Sequence, residues 1–171
     1  MSTFFRNVLL SSVAVASLGG GTAAAVTRDL AFQSNGTGVC QAALPAYEGL
    51  IRKRPMAIQN EGSDTAFVTC SPVTLQNQTS VDFGHGIFLV NNSAATVTIN
   101  CTAVVGAQNG VPQVSIPKSV VISANSSSEL YWSEADGVPQ NNSTSFNTSC
   151  ALLPETGITT LYTNQVLDVG Q

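Results

Sequence analysis

The chain has one histidine, His85, set between Gly84 and Gly86, so any Ser-His-Asp hydrolysis would have to use it. Such a triad needs its base within hydrogen-bond reach of a nucleophile. The Gly-x-Ser-x-Gly elbow that presents one is absent from the sequence. His85 is instead expected to shape a tight turn before Ile87. Paired carboxylates could serve glycoside hydrolysis, and Glu129, Glu134 and Asp136 are the nearest candidates. They lie in or beside a polar loop, where acids are ordinarily solvated. Asp82 with His85 falls short of a zinc or calcium ligand set, and the Asp-rich EF-hand loop is missing. The sequence therefore assigns no catalytic residue, no cofactor and no metal.

Four cysteines, Cys40, Cys70, Cys101 and Cys150, complete the reactive side chains. None forms a Cys-x-x-Cys pair, which disfavours both a zinc site and a thioredoxin-like redox motif. Two disulfides are expected. Four cysteines allow three pairings, and spacing alone does not choose among them. The favoured set is Cys40–Cys70 and Cys101–Cys150.

Two stretches could bind rather than react. Tyr131-Trp132 could offer an aromatic platform for a sugar or peptide, provided the rings are exposed beside the loop carboxamides Gln140 and Asn141. The competing reading is a core tryptophan packed in a sandwich. Arg52-Lys53-Arg54 could meet an acidic partner or an anionic cell-envelope polymer. It also reads as a solvated connector before Pro55.

The elements that must hold these residues are strands. In Thr96–Val105, Val97, Ile99, Cys101, Ala103 and Val105 share one face, while Thr96, Thr98, Asn100 and Thr102 share the other. This period-two alternation marks a half-buried strand. In Ser145–Leu152, Phe146, Cys150 and Leu152 make a similar face, which argues for the Cys101–Cys150 bridge. Ile87–Val90 reads as a strand buried on both sides, pairing with Thr96–Val105 as a hairpin. Met56–Asn60 and Thr65–Cys70 read as another hairpin. Pro112 and Pro117 keep Val111–Pro117 from being a central strand. Val26–Gly38 reads as an irregular lead-in, and Ile158–Val169 as the last strand or pair. Turn signals recur at about 8–12 residues, with no helical periodicity. The expected fold is an all-β antiparallel sandwich, Ig-like or jelly-roll-like, of about seven to nine short strands.

The N-terminus reads as a leader. Arg6 is its only charge, Val8–Leu18 is apolar, and Ala23-Ala24-Ala25 offers a small-residue cleavage site. Residues 1–25 are thus expected to be a cleavable signal peptide, and residues 26–171 a single domain. The apolar run is too short for a bilayer span, and no later run is long enough, so the mature chain is expected to have no membrane span. Without Arg6, five basic residues face ten acids, a formal −5. Nucleic acid demands a basic footprint, and this composition excludes it.

Several segments together resemble a group of small exported, disulfide-bonded β-sandwich proteins of Gram-negative bacteria. They are Cys40, Ile58–Gly62 leading to Phe67–Pro72, the Ile-Asn-Cys at Ile99–Cys101, and Ser149–Pro154 followed by a strand through Tyr162. The resemblance covers about residues 39–165. It implies export to the periplasm or beyond, and the group has no established activity or functional residues to carry over. If the source is bacterial, the sequons at Asn35, Asn91 and Asn142 reflect a Ser/Thr/Asn-rich surface. The strand order and early cysteine are also similar to those of secreted pilus-like subunits related to spore coat protein U. The chain departs from these in its cysteine spacing and lacks an obvious N-terminal donor strand. The function expected is that of a non-enzymatic envelope or extracellular protein acting through its surface, with a cell-envelope polymer or protein as partner. The alternatives are a carbohydrate-binding module using Tyr131 and Trp132, or a pilus-like adhesive subunit.

Overall fold

A computed structural model describes residues 26–74, 80–106, 113–139 and 145–168. Its eleven strands are β1 (Thr27–Asn35), β2 (Cys40–Ala42), β3 (Ile51–Arg54), β4 (Ala57–Asn60), β5 (Ala66–Cys70), β6 (Ser80–Asn91), β7 (Val97–Gly106), β8 (Val114–Ile122), β9 (Ser126–Trp132), β10 (Ser145–Leu152) and β11 (Thr156–Asp168). They form two antiparallel sheets. One has the order β3-β4-β11-β6-β9, with β1 also paired to β11. The other has the order β2-β5-β10-β7-β8.

Alternation decides the layers, because successive side chains on a strand point to opposite faces. On β7 the inward side chains are those of Ile99, Cys101, Ala103 and Val105, and on β10 they are those of Phe146, Thr148, Cys150 and Leu152. Facing them from the other sheet are His85, Ile87, Leu89, Trp132, Ile158 and Leu161. Strands β4 to β11 alternate between the sheets except at the β7–β8 hairpin, and each sheet takes four of them, as β4-β11-β6-β9 and β5-β10-β7-β8. That is the jelly roll, of the two sandwich types the sequence allows.

Both expected disulfides form, and both join residues directly opposite each other in the five-stranded sheet. Cys40 faces Cys70 across β2 and β5, and Cys101 faces Cys150 across β7 and β10. They close loops with separations of 30 and 49 residues. In the chain-entropy model each contributes about 4 kcal/mol.

Several sequence expectations fail. The two hairpins do not exist, because β4 and β6 lie in one sheet while β5 and β7 lie in the other. A buried asparagine makes each crossing. Asn60 donates to the carbonyls of Asp64 (2.7 Å) and Leu152 (2.8 Å) and accepts from Gly62 N. Asn91 donates to those of Ala95 (2.7 Å), Ile122 and Ser123 and accepts from Ser93 N. Each asparagine stands on a strand of the six-stranded sheet, and its amide bonds backbone groups of the following loop and a carbonyl of the five-stranded sheet, so the chain turns a corner instead of pairing back on itself. The irregular lead-in is strand β1, which pairs with β11 along its whole length and half-buries Leu30 and Phe32. The described residues form eleven strands, more than the seven to nine expected. Phe88 points outward, so β6 is not buried on both faces. The expectation at Pro117 does not fail: β8 runs through this proline but lies at the edge of its sheet, not at the centre.

Candidate functional site

His85 sits in the middle of β6, opposite Trp132, and not in a turn. Gly84 and Gly86 face outward on either side, so its own side chain must point into the core. There it is fully buried, with Nε2 3.0 Å from Thr148 Oγ1 and the Phe146 ring 4.1 Å away. Among the described residues no hydrogen bond reaches Nδ1. Burial pushes the imidazole pKa down to about 3, opposed in part by the Tyr162 backbone. A neutral ring sealed from water cannot serve a bound substrate.

Trp132 is also fully buried. Its Nε1 donates to the Ile116 carbonyl at 3.0 Å, and its ring lies 5.9 Å from that of His85. This corrects its assignment to a ligand surface. Leu130 and Trp132 share the inward face of β9, which leaves Tyr131 on the outward one. Gln140 and Asn141 lie outside the described residues, as do residues 1–25.

The acids are engaged separately. Asp136 caps a short 3-10 turn, Glu134–Asp136, by accepting from Ser133 N at 2.9 Å, and pairs with Lys118 Nζ at 2.6 Å. These bonds hold its carboxyl below the usual range, Lys118 contributing most. Glu129 lies on the outer face of β9 and accepts from the Tyr162 hydroxyl. Among the described residues no group of three His, Cys, Asp or Glu gathers to hold a metal.

Arg52, Lys53 and Arg54 form β3, an edge strand, and do not converge. Arg54 pairs with Glu61 through two bonds of 2.6 and 2.7 Å. Arg52 Nη1 donates to the carbonyls of Glu48 and Ile51. Lys53, on the opposite side of the strand, borders a groove with Gln41, Leu44 and Glu48. Charges on an edge strand discourage pairing with another chain, and this placement gives the cluster that role.

The outer face of the six-stranded sheet is different. Cross-strand register places Gln33, Tyr162, Gly86 and Tyr131 in one row across β1, β11, β6 and β9. The next rows are Thr160, Phe88 and Glu129 on one side and Ala31, Asn164 and Gly84 on the other. The two glycines make the floor. A Cβ on Gly86 would overlap the Tyr162 ring, and one on Gly84 would overlap the end of Tyr131. Both rings therefore lie across β6 where any side chain would lift them. Their centroids are 6.0 Å apart with planes 19° from parallel, and Phe88 continues the strip 6.0 Å from Tyr162. Phe88 is 38 % exposed. Burial, then the hydrogen bond from its hydroxyl to the Glu129 carboxylate, raises the Tyr162 pKa, so the phenol stays protonated and holds Glu129 in place. Beside Tyr131 a groove of about 420 Å3 runs along Asp29, Ala31, Asn164 and Val166.

This arrangement presents flat apolar ring surface next to hydrogen-bonding groups. Sequence reasoning found Tyr131 but missed Tyr162, Phe88 and the glycine floor. The available signal was Gly-His-Gly on a strand, since glycines at alternate positions mark a close approach on one face.

No protein-family model matches the sequence, and no curated protein matches it. Among solved structures the chain is similar to the CBM22-1–GH10 modules of a Clostridium thermocellum endo-1,4-beta-D-xylanase. The identity there is 12%, over 77% of this chain and 25% of that one, with a TM-score of 0.44. It spans about a quarter of that protein. It is also similar to the CBM22-2 xylan-binding domain of a Paenibacillus barcinonensis protein, at 9% identity over 82% and 99% of the two chains, with a TM-score of 0.45. A third likeness is the family 11 carbohydrate-binding module of Clostridium thermocellum, in complex with a β-1,3-1,4-mixed-linked tetrasaccharide. That match has 10% identity over 87% and 91% of the two chains and a TM-score of 0.40.

Proposed function

We propose that this protein is an exported, non-catalytic β-sandwich that holds a neutral glycan on the Tyr131–Tyr162 strip. The observation that carries the reading is the pair of tyrosine rings laid over a glycine floor on an otherwise solvent-facing sheet. A pyranose has one face of C–H groups and a rim of hydroxyls. The C–H face suits the aromatic rings, and the rim suits Glu129, Asn164 and Gln33, which flank them in register. Aromatic side chains with a polar tip are enriched where proteins bind. Glu129 and Asp29 beside the strip would repel an anionic sugar, so a neutral one is favoured.

Two lines support export. Two disulfides form in oxidising compartments, and the chain resembles exported disulfide-bonded proteins of Gram-negative bacteria. Among the described residues no helix is long and apolar enough to cross a membrane.

Titration calorimetry with oligosaccharides of xylan and of mixed-linked β-glucan, with oligogalacturonate as the anionic control, tests the reading. Binding of a neutral sugar is expected, weakened about tenfold or more by Tyr131→Ala, which corresponds to about 1.4 kcal/mol. Unchanged affinity in Tyr131→Ala and Tyr162→Phe/Tyr131→Ala would remove the strip from the account.

A further inference from the structure

We infer that the outer face of the five-stranded sheet is a second surface for neutral polysaccharide, and that the protein bridges two glycan chains, one on each face. The bridging rests on the tyrosine-strip reading, whereas the second surface stands on its own observations.

This face carries a trough of about 430 Å3. Register lines up Thr69, Ser149, Thr102 and Pro117 across β5, β10, β7 and β8. The adjacent row is Phe67, Ala151, Asn100 and Ser119. Phe67 is 45 % exposed and forms one wall, with the Tyr47 ring 5.9 Å behind it. Hydroxyls and carboxamides both donate and accept hydrogen bonds. Among the described residues none supplies a side-chain hydrogen bond to Asn100, Thr102, Ser119 or Ser149. Lys118 also borders the trough, but its ammonium binds the Tyr131 carbonyl and Asp136, both at 2.6 Å, towards the other sheet.

The chemistry selects the occupant. The floor has no uncompensated charge, so a charged polymer finds no counter-ion there. A peptide that adds a strand uses a sheet edge, not a face. A protein interface core is more apolar than this row of hydroxyls. What remains is an uncharged chain rich in hydroxyls, with its C–H surface against Phe67 and its rim on Asn100, Thr102 and Ser149. The row from Thr69 to Pro117 crosses three strand gaps, about 14 Å at the usual strand spacing, which accommodates more than one sugar ring.

The two faces belong to sheets packed about 10 Å apart and point in opposite directions. One extended chain cannot lie on both, but two chains can. A long polysaccharide would then be cross-linked by the protein, with an avidity neither face has alone.

The test uses the full chain with xylan and mixed-linked glucan. Calorimetry reads the number of oligosaccharides bound, and light scattering reads cross-linking of the long polymers. Wild type is expected to bind two oligosaccharides per chain and to raise the scattering. Thr102→Arg drives a charge into the trough from an outward position and is expected to leave one site. Tyr131→Ala is expected to leave the other, and each variant to abolish the scattering. Phe67→Ala, which creates no new charge, is expected to weaken the trough site about tenfold. Thermal unfolding confirms that each variant folds. One site untouched by Thr102→Arg and Phe67→Ala overturns the second surface and leaves the tyrosine strip standing. One site lost in Thr102→Arg but kept in Tyr131→Ala overturns the strip and the bridging. No binding by wild type overturns both.

Discussion

The two outer faces of this sandwich are both antiparallel sheets, but they carry different side chains. On the six-stranded sheet, glycines at Gly84 and Gly86 open a floor that two tyrosine rings cover, with Glu129 held beside them. On the five-stranded sheet, small hydroxyl and amide side chains leave a trough with one phenyl wall. The inner faces differ too. Both disulfides brace the five-stranded sheet, whereas the six-stranded one contributes the buried His85, Thr163 and Gln165. The hydroxyl face therefore rests on a covalently fixed sheet, and the aromatic face on a sheet held by packing and polar contacts alone. Disturbing the core should consequently damage the aromatic face first.

The largest way to break this contrast is to remove the bridge between β7 and β10. Cys101→Ser with Cys150→Ser should cost about 4 kcal/mol, read as a fall in the stability extrapolated to zero denaturant, with a steeper slope because the unfolded chain is no longer cross-linked. If stability holds, the five-stranded sheet owes its rigidity to something else.

Acid should act on the other sheet. His85 has a folded pKa of about 3 against 6.5 for a free imidazole. The folded state must keep it neutral, while the unfolded state takes up a proton as the pH falls. Its contribution is fully present above about pH 6.5, and stability should decline by up to about 1.4 kcal/mol per pH unit as the pH falls towards 3. Urea titrations at pH 7, 5.5 and 4.5 measure this. His85→Phe, a somewhat larger ring that cannot titrate, should flatten the dependence.

A matched pair of substitutions then compares the faces directly. Gly86→Val forces the Tyr162 ring off β6 and should cost about 1–3 kcal/mol. Ser149→Val, outward on β10, should change stability by less than about 0.5 kcal/mol. Equal effects would mean that the rings are not seated on the glycines.

The smallest effect is spectroscopic. Trp132 should emit at short wavelength and resist iodide quenching, and saturating glycan should leave its emission almost unchanged. Strong quenching would place the indole on the surface after all.

Much of this contrast was legible in the sequence. The alternation through Thr96–Val105 put Cys101 on a buried face and Asn100 and Thr102 on a wet one, and the matching face in Ser145–Leu152 named its partner strand. The same rule separates Tyr131 from Trp132, since neighbours on one strand cannot both face solvent. What alternation does not carry is the identity of the sheet. The segments Glu61–Asp64 and Asn92–Ala95 have the composition of hairpin turns, yet Asn60 and Asn91 turn each into a crossing by bonding carbonyls as far away as Leu152 and Ile122. Tyr162 stayed hidden for a similar reason. Its neighbours Gly86 and Tyr131 lie 76 and 31 residues away in the chain, and only the β11-β6-β9 register joins them.

Backbone and ring NMR shifts during an oligosaccharide titration show whether a neutral glycan lies on the tyrosine strip. Gly84, Gly86, Tyr131, Tyr162 and Asn164 are expected to shift together and saturate on one isotherm, while the amides of Arg52, Lys53 and Arg54 stay still. Shifts at Arg52–Arg54 with the strip unmoved would contradict the claim.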